Sequence, residues 1–116
     1  MDRPLAQQTC QPCQLGSRPL PIEDIRRLLP AIPRWQNVQV DGTDRLRRDF
    51  HFRDFDAAFA FAQQVAALAQ RHDHHPLLEV EWGRVGVTWW THKINGLHQN
   101  DFIMAAKTDL LAESAR

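Results

Sequence analysis

What these 116 residues have little of already removes several classes of function. Charge of neither sign is in excess: fourteen Lys and Arg balance fourteen Asp and Glu, a formal net charge of +0. A protein that grips a phosphate backbone usually carries a basic surplus, so nucleic acid is not an expected partner. No stretch approaches the roughly 20 apolar residues that a membrane span needs, so a membrane is not expected either. The first twenty residues hold Arg3 and Arg18 but no apolar stretch, which gives no secretory signal and makes the cytoplasm the expected location. Cysteine is confined to Cys10 and Cys13. That spacing fits half of a zinc site, a redox pair or an incidental pair. A zinc ribbon needs a second pair, and a thioredoxin-like centre needs its pair between a strand and a helix rather than in a Pro- and Gln-rich tail. An HExxH motif, a helical i, i+4 histidine pair, a phosphate loop and a nucleophile elbow are all missing. There is no internal repeat and no low-complexity tract.

What is present suits one soluble domain: 43% apolar and 24% charged residues in a chain of single-domain length. A chain this short buries only about two-thirds of its unfolded surface, so self-association would add stability. Residues 1–20 carry three prolines, one glycine and four glutamines without periodicity and read as a flexible leader holding the cysteine pair. Residues 21–116 read as a single domain.

The pattern within that domain predicts helix, two strands, helix, two strands, helix. Ile22, Ile25, Leu28 and Leu29 fall at helical spacing and are stopped by Pro30 and Pro33. Trp35 to Val40 reads as a strand, Asp41-Gly42 as a hairpin turn, and Arg45 to Arg53 as a second strand. In that second strand Leu46, Phe50 and Phe52 alternate with Arg45, Arg47, Asp49 and His51, so one sheet face is wet. A helix from about Asp54 to Arg71, capped by Asp54 or Asp56, carries a stripe of Phe55, Ala58, Phe59, Ala62, Val65, Ala66 and Ala69. A second stripe of Phe61, Val65 and Leu68 makes its apolar surface too wide for one sheet face, which points to a partner subunit. Strands over Leu77–Trp82 and Arg84–Thr91 meet at Gly83, with Trp82 and Trp89 expected in the core. A last helix from about Asn100 to Ala112 is expected to bury Ile103, Ala106 and Leu110. Hairpins of this kind give an α+β fold: a four-stranded antiparallel sheet with three helices on one face, in the order α-β-β-α-β-β-α.

Chemistry concentrates in histidine. Five of six histidines fall between positions 72 and 98. His74 and His75 sit where a helix has ended and a strand has not begun, with Pro76 forcing extended backbone at His75. Antiparallel strands joined at Gly83 return His92 to the same end of the sheet, so three imidazoles converge. Histidine serves chemistry that needs both a proton donor and a proton acceptor near neutral pH. Asp73 or Asp101 can orient such a ring, and His74, His92 and Asp101 would in principle also suit zinc. Asp101 reads equally well as a plain helix-start carboxylate. Trp90 shares the parity of His92 and is expected to line the pocket.

The run His74-His75-Pro76, then Trp82, His92 and Asp101 at fixed gaps, resembles the signature of the pterin-4a-carbinolamine dehydratases. So do Phe50-His51-Phe52-Arg53-Asp54-Phe55, Glu81-Trp82-Gly83-Arg84-Val85, Thr88-Trp89-Trp90-Thr91-His92 and Gly96-Leu97-His98-Gln99-Asn100-Asp101-Phe102. The likeness covers roughly residues 20–112 and is strongest to bacterial members associated with phenylalanine hydroxylase. It implies loss of water from a 4a-hydroxytetrahydropterin, with no cofactor and no metal. It implies His74 and His92 as general acids on opposite faces of the pterin, and His75 as a binding residue and assisting base. Asp101 would support an imidazole or the helix start, and the backbone near Pro76 and Thr91 would meet the pterin's amide edge. It further implies a homodimer or homotetramer and an aromatic amino-acid hydroxylase as partner. A non-catalytic dimerisation role, as in animal relatives that partner a transcription factor, and a dehydratase acting on another pterin such as a molybdenum-cofactor precursor are the alternatives. One position departs: where the family pattern has a charged residue or histidine, most often glutamate, this chain has Gln70.

Overall fold

A computed structural model describes residues 3–11 and 17–115. Three α-helices, α1 (Ile22–Leu28), α2 (Phe55–His72) and α3 (Gln99–Ser114), accompany four strands: β1 (Gln36–Val40), β2 (Thr43–His51), β3 (Leu77–Glu81) and β4 (Arg84–Trp89). The strands form one antiparallel sheet in the order β1-β2-β4-β3, as the alternating pattern predicts. The β1–β2 turn needs left-handed backbone at two successive residues, and Asp41 (φ 52°) and Gly42 (φ 77°) supply it. Register places Leu46 opposite Trp89 and Phe50 opposite Val85. Those four side chains are fully buried beneath the helices, together with Val87, Phe61, Val65, Phe102 and Met104. The opposite face is ionic, Arg47 binding Glu79 and Asp49 while Arg84 binds Asp49 and Glu81. Gly86 lies under this network, where a Cβ would come within 2.8 Å of Arg84 Nη1.

Several predicted core positions are corrected. Trp82 is 71% exposed, because it falls in the two-residue turn with Gly83 (φ 75°) rather than in a strand. Leu110 and Ile22 are also exposed. On α2 the buried stripe is Ala58, Phe61, Ala62, Val65, Leu68 and Ala69, while Phe55 and Phe59 stack on each other outside it. The sequence shows an over-wide apolar surface but not which edge of it the sheet covers.

Residues 3–11 of the leader lie against α3 and add a short 3₁₀ turn, Leu5–Gln7. This second covering explains why α3 is buried along most of its first two turns. Cys13 lies outside the described residues. No described helix is long and apolar enough to cross a membrane.

Candidate active site

Local rules deliver the first two histidines. Helix α2 is capped at its start by Asp54, whose side chain accepts from the Ala57 N–H at 2.8 Å. At its end Asp73 adopts left-handed backbone (φ 49°, ψ 44°). The N–H groups of Asp73 and His74 then bond back to the carbonyls of Gln70 and Ala69. This is the Schellman arrangement, with aspartate where glycine is usual. It turns the chain sharply, so that His74 and His75 leave the helix before β3 begins. After β4, Thr91 bridges to Gly96, and His92 starts a 3₁₀ turn, His92–Ile94. Gly96 is required there, since a Cβ would lie 2.6 Å from Pro19 Cβ.

These segments meet in a cleft of about 570 Å³. His74, His75, His92 and Thr91 line it, joined by His72, Asp73, Lys93, Asn100 and, from the leader, Cys10 and Gln11. His74 forms the floor. Its ring stacks on Trp89 with planes 8° apart, and its Nε2–H donates to Asp101 Oδ1 at 2.6 Å. With Nε2 committed to the carboxylate, Nδ1 is the ring nitrogen left for a further partner. Asp101 is 0% exposed, and its other oxygen accepts from Thr91 Oγ1 (2.8 Å) and the His98 N–H (2.9 Å). His98 reciprocates through Nδ1, accepting from the Asn100 N–H at 3.0 Å, and the pair closes a capping box on α3. Asp101 is therefore both readings at once: it starts the helix and holds a histidine.

The rim is built differently. His75 is exposed, and its Nε2–H donates to Gln70 Oε1 at 2.5 Å. A neutral amide thus holds this ring, at the position where a charged residue or histidine was expected. His92 is also exposed and rests on Trp90, ring centroids 4.3 Å apart. The Arg45 guanidinium also lies over that indole, 3.9 Å from the ring centroid. Of the expected binding residues, Thr91 lines the cleft, but its hydroxyl is spent on Asp101. Pro76 and Trp90 are not among the lining residues; Trp90 is the platform under His92.

Sequence reasoning missed Cys10, Gln11 and His72. Burial pushes the Cys10 thiol up to about 11, with Lys107 pulling it down and Asp101 adding to the rise. Burial, followed by Lys107 and Arg71, pushes His72 below the usual 6.5. Among the described residues no group of three or more His, Cys, Asp or Glu side chains is placed to hold a metal ion. A larger hollow of about 750 Å³ near Arg34 and His51 is lined by Arg47 and Arg48. Those arginines are already paired, with Glu79 and Asp49 and with Asp109.

The sequence and the fold match a known set of proteins. A family model described as pterin 4 alpha carbinolamine dehydratase matches residues 18–111. The chain belongs to this family. Relatives carrying the name pterin-4-alpha-carbinolamine dehydratase are 50% identical in Saccharophagus degradans, over 94% of this chain and 96% of that protein. In Microcystis aeruginosa the identity is also 50%, over 90% of each. The crystal structure of a transcriptional coactivator/pterin dehydratase from Brucella melitensis is 38% identical, with a TM-score of 0.74 over 82% of this chain and 99% of that one. A pterin dehydratase-like RuBisCO assembly factor of the alpha-carboxysome shares the fold (TM-score 0.58, 24% identity, over 67% of this chain and 88% of that one).

Proposed function

We propose that the protein dehydrates a 4a-hydroxytetrahydropterin to the quinonoid dihydropterin by histidine acid–base catalysis. The hydroxyl on C4a leaves as water once protonated, the N5 proton passes to a base, and the N5 electron pair closes the C4a=N5 double bond. Atoms and charge balance without a cofactor, and what the step needs is a donor and an acceptor facing a flat ring. His74 and His92 act as general acids, and His75 binds substrate and assists as base. Asp101 is a positioning residue, setting the ring nitrogen that His74 presents. The observation that carries this reading is the convergence of three imidazoles in one cleft, the deepest held by a buried carboxylate with three donors on it.

In this reading the enzyme works in the cytoplasm and recycles the pterin of an aromatic amino-acid hydroxylase. The stacked, exposed Phe55 and Phe59 support a homodimeric or homotetrameric contact on the outer side of α2.

Stopped-flow absorbance of 4a-hydroxytetrahydropterin decay tests the reaction. The unmodified chain accelerates decay, and His74→Ala and His92→Ala each lose about 10²- to 10⁴-fold while circular dichroism stays unchanged. A folded, unmodified chain with no acceleration over buffer sinks this reading and leaves a binding role or a different pterin.

A further inference from the structure

The leader supplies one wall of the histidine cleft, and the proton transfers above give it nothing to do. Cys10 and Gln11 line that cleft together with His74, His75 and His92. Asn100, only 3% exposed, spends both ends of its side-chain amide on the Gln11 backbone. Its Oδ1 accepts from the Gln11 N–H at 2.8 Å, and its Nδ2 donates to the Gln11 carbonyl at 2.6 Å. Lys107 donates to the Ala6 carbonyl at 2.8 Å, and Gln99 donates to Gln8 Oε1 at 2.9 Å. Leu5 and Cys10 pack against the hydrophobic core. A buried amide committed at both ends to backbone 89 positions away is a built anchor, since either end left unmatched would carry a desolvation penalty. Asn100 also directly precedes Asp101, so leader and His74 are fastened to the same helical turn.

We propose that residues 3–11 form a substrate-binding wall in which Cys10 and Gln11 contact the bound pterin, with Asn100 as the positioning residue that clamps the wall in place. The identity of the ligand rests on the dehydratase reading. A half-buried thiol offers a soft, weakly polar surface to a flat ring, and the Gln11 amide offers both a donor and an acceptor to a heterocycle edge. A wall that touches ground state and transition state alike governs KM more than kcat.

The test uses the full chain carrying Cys13→Ser, which leaves Cys10 as the one thiol. Alkylation of Cys10 by iodoacetamide is followed by mass spectrometry with and without 7,8-dihydrobiopterin, whose binding is titrated separately by intrinsic tryptophan fluorescence. Saturating pterin slows alkylation by about tenfold or more, the protection expected when a bound ring covers the thiol. Equal rates at demonstrated saturation overturn the wall and leave the dehydratase standing. No binding of the pterin at all sinks both. In parallel, Asn100→Leu raises KM about tenfold and lowers kcat by no more than about threefold, the pattern of lost uniform binding. A fall in kcat at constant KM overturns the proposal.

Discussion

The floor and the rim of the cleft hold the same type of residue by opposite means. His74 is clamped from beneath by a fully buried carboxylate that has three donors on it, and its ring lies flat on Trp89. His75 and His92 are exposed, one held by a single amide and the other by stacking. Buried hydrogen bonds are costly to break because the orphaned group has no water to turn to, whereas exposed ones are replaced by solvent. The floor therefore fixes one ring from buried groups on several sides, while the rim holds each of its two rings by a single solvent-accessible contact.

The sharpest way to break this contrast is Asp101→Asn. The change keeps the volume but puts an NH₂ where an oxygen accepts, so at least one of His74, Thr91 or the His98 N–H loses its partner. We expect about 1–3 kcal/mol of lost stability for each orphaned group, read by urea denaturation, and a fall in dehydration rate comparable to His74→Ala. Stability unchanged from the unmodified chain would mean the floor is no more constrained than the rim. Gln70→Ala makes the matching change at the rim. Stability should move by no more than about 0.5 kcal/mol, as for an exposed site, and activity by less than about tenfold, or 1.4 kcal/mol. The smallest effect concerns His72, beside the floor. Its neutral form is favoured in the fold, so the unfolded chain binds more protons as pH falls below 6.5. Its contribution to stability is complete above 6.5 and is lost as pH falls through the lower folded value. His72→Gln should flatten that acid-side slope in thermal melts taken above and below pH 6.5, and an unchanged slope would assign it to other groups.

The convergence of the three histidines was legible in the residue pattern, but not the contrast between them. The break between the α2 periodicity and β3, with proline after His75, places two histidines on a turn, and the Gly83 hairpin returns the third. Parity, however, says which face a strand residue takes and not whether the strand is still running, which is why Trp82 misleads: the strand has ended before it. Parity also hides Arg48, which shares the face of Leu46 and Phe50 and binds Asp109 from inside. Covering α3 with the leader was not legible at all, because residues 3–11 have no period and are placed by bonds to Asn100 and Lys107 that only the fold brings near. The dual use of Asp101 lies in the same class: spacing gives a carboxylate near a helix start, but only the assembled loop adds His74 and Thr91.

Because the α3 capping box and the His74 clamp share one carboxylate, chain length in that turn is set from two directions. Inserting or deleting a single residue between His98 and Asp101 would swing the carboxylate about 100° around the helix axis. The helix could recruit another cap from a neighbouring polar side chain, but the imidazole could not follow, since Trp89 fixes its plane. Substitutions can be absorbed here more readily than any change of length, and a chain otherwise similar but one residue longer in this turn would keep its shape while releasing His74 from its carboxylate.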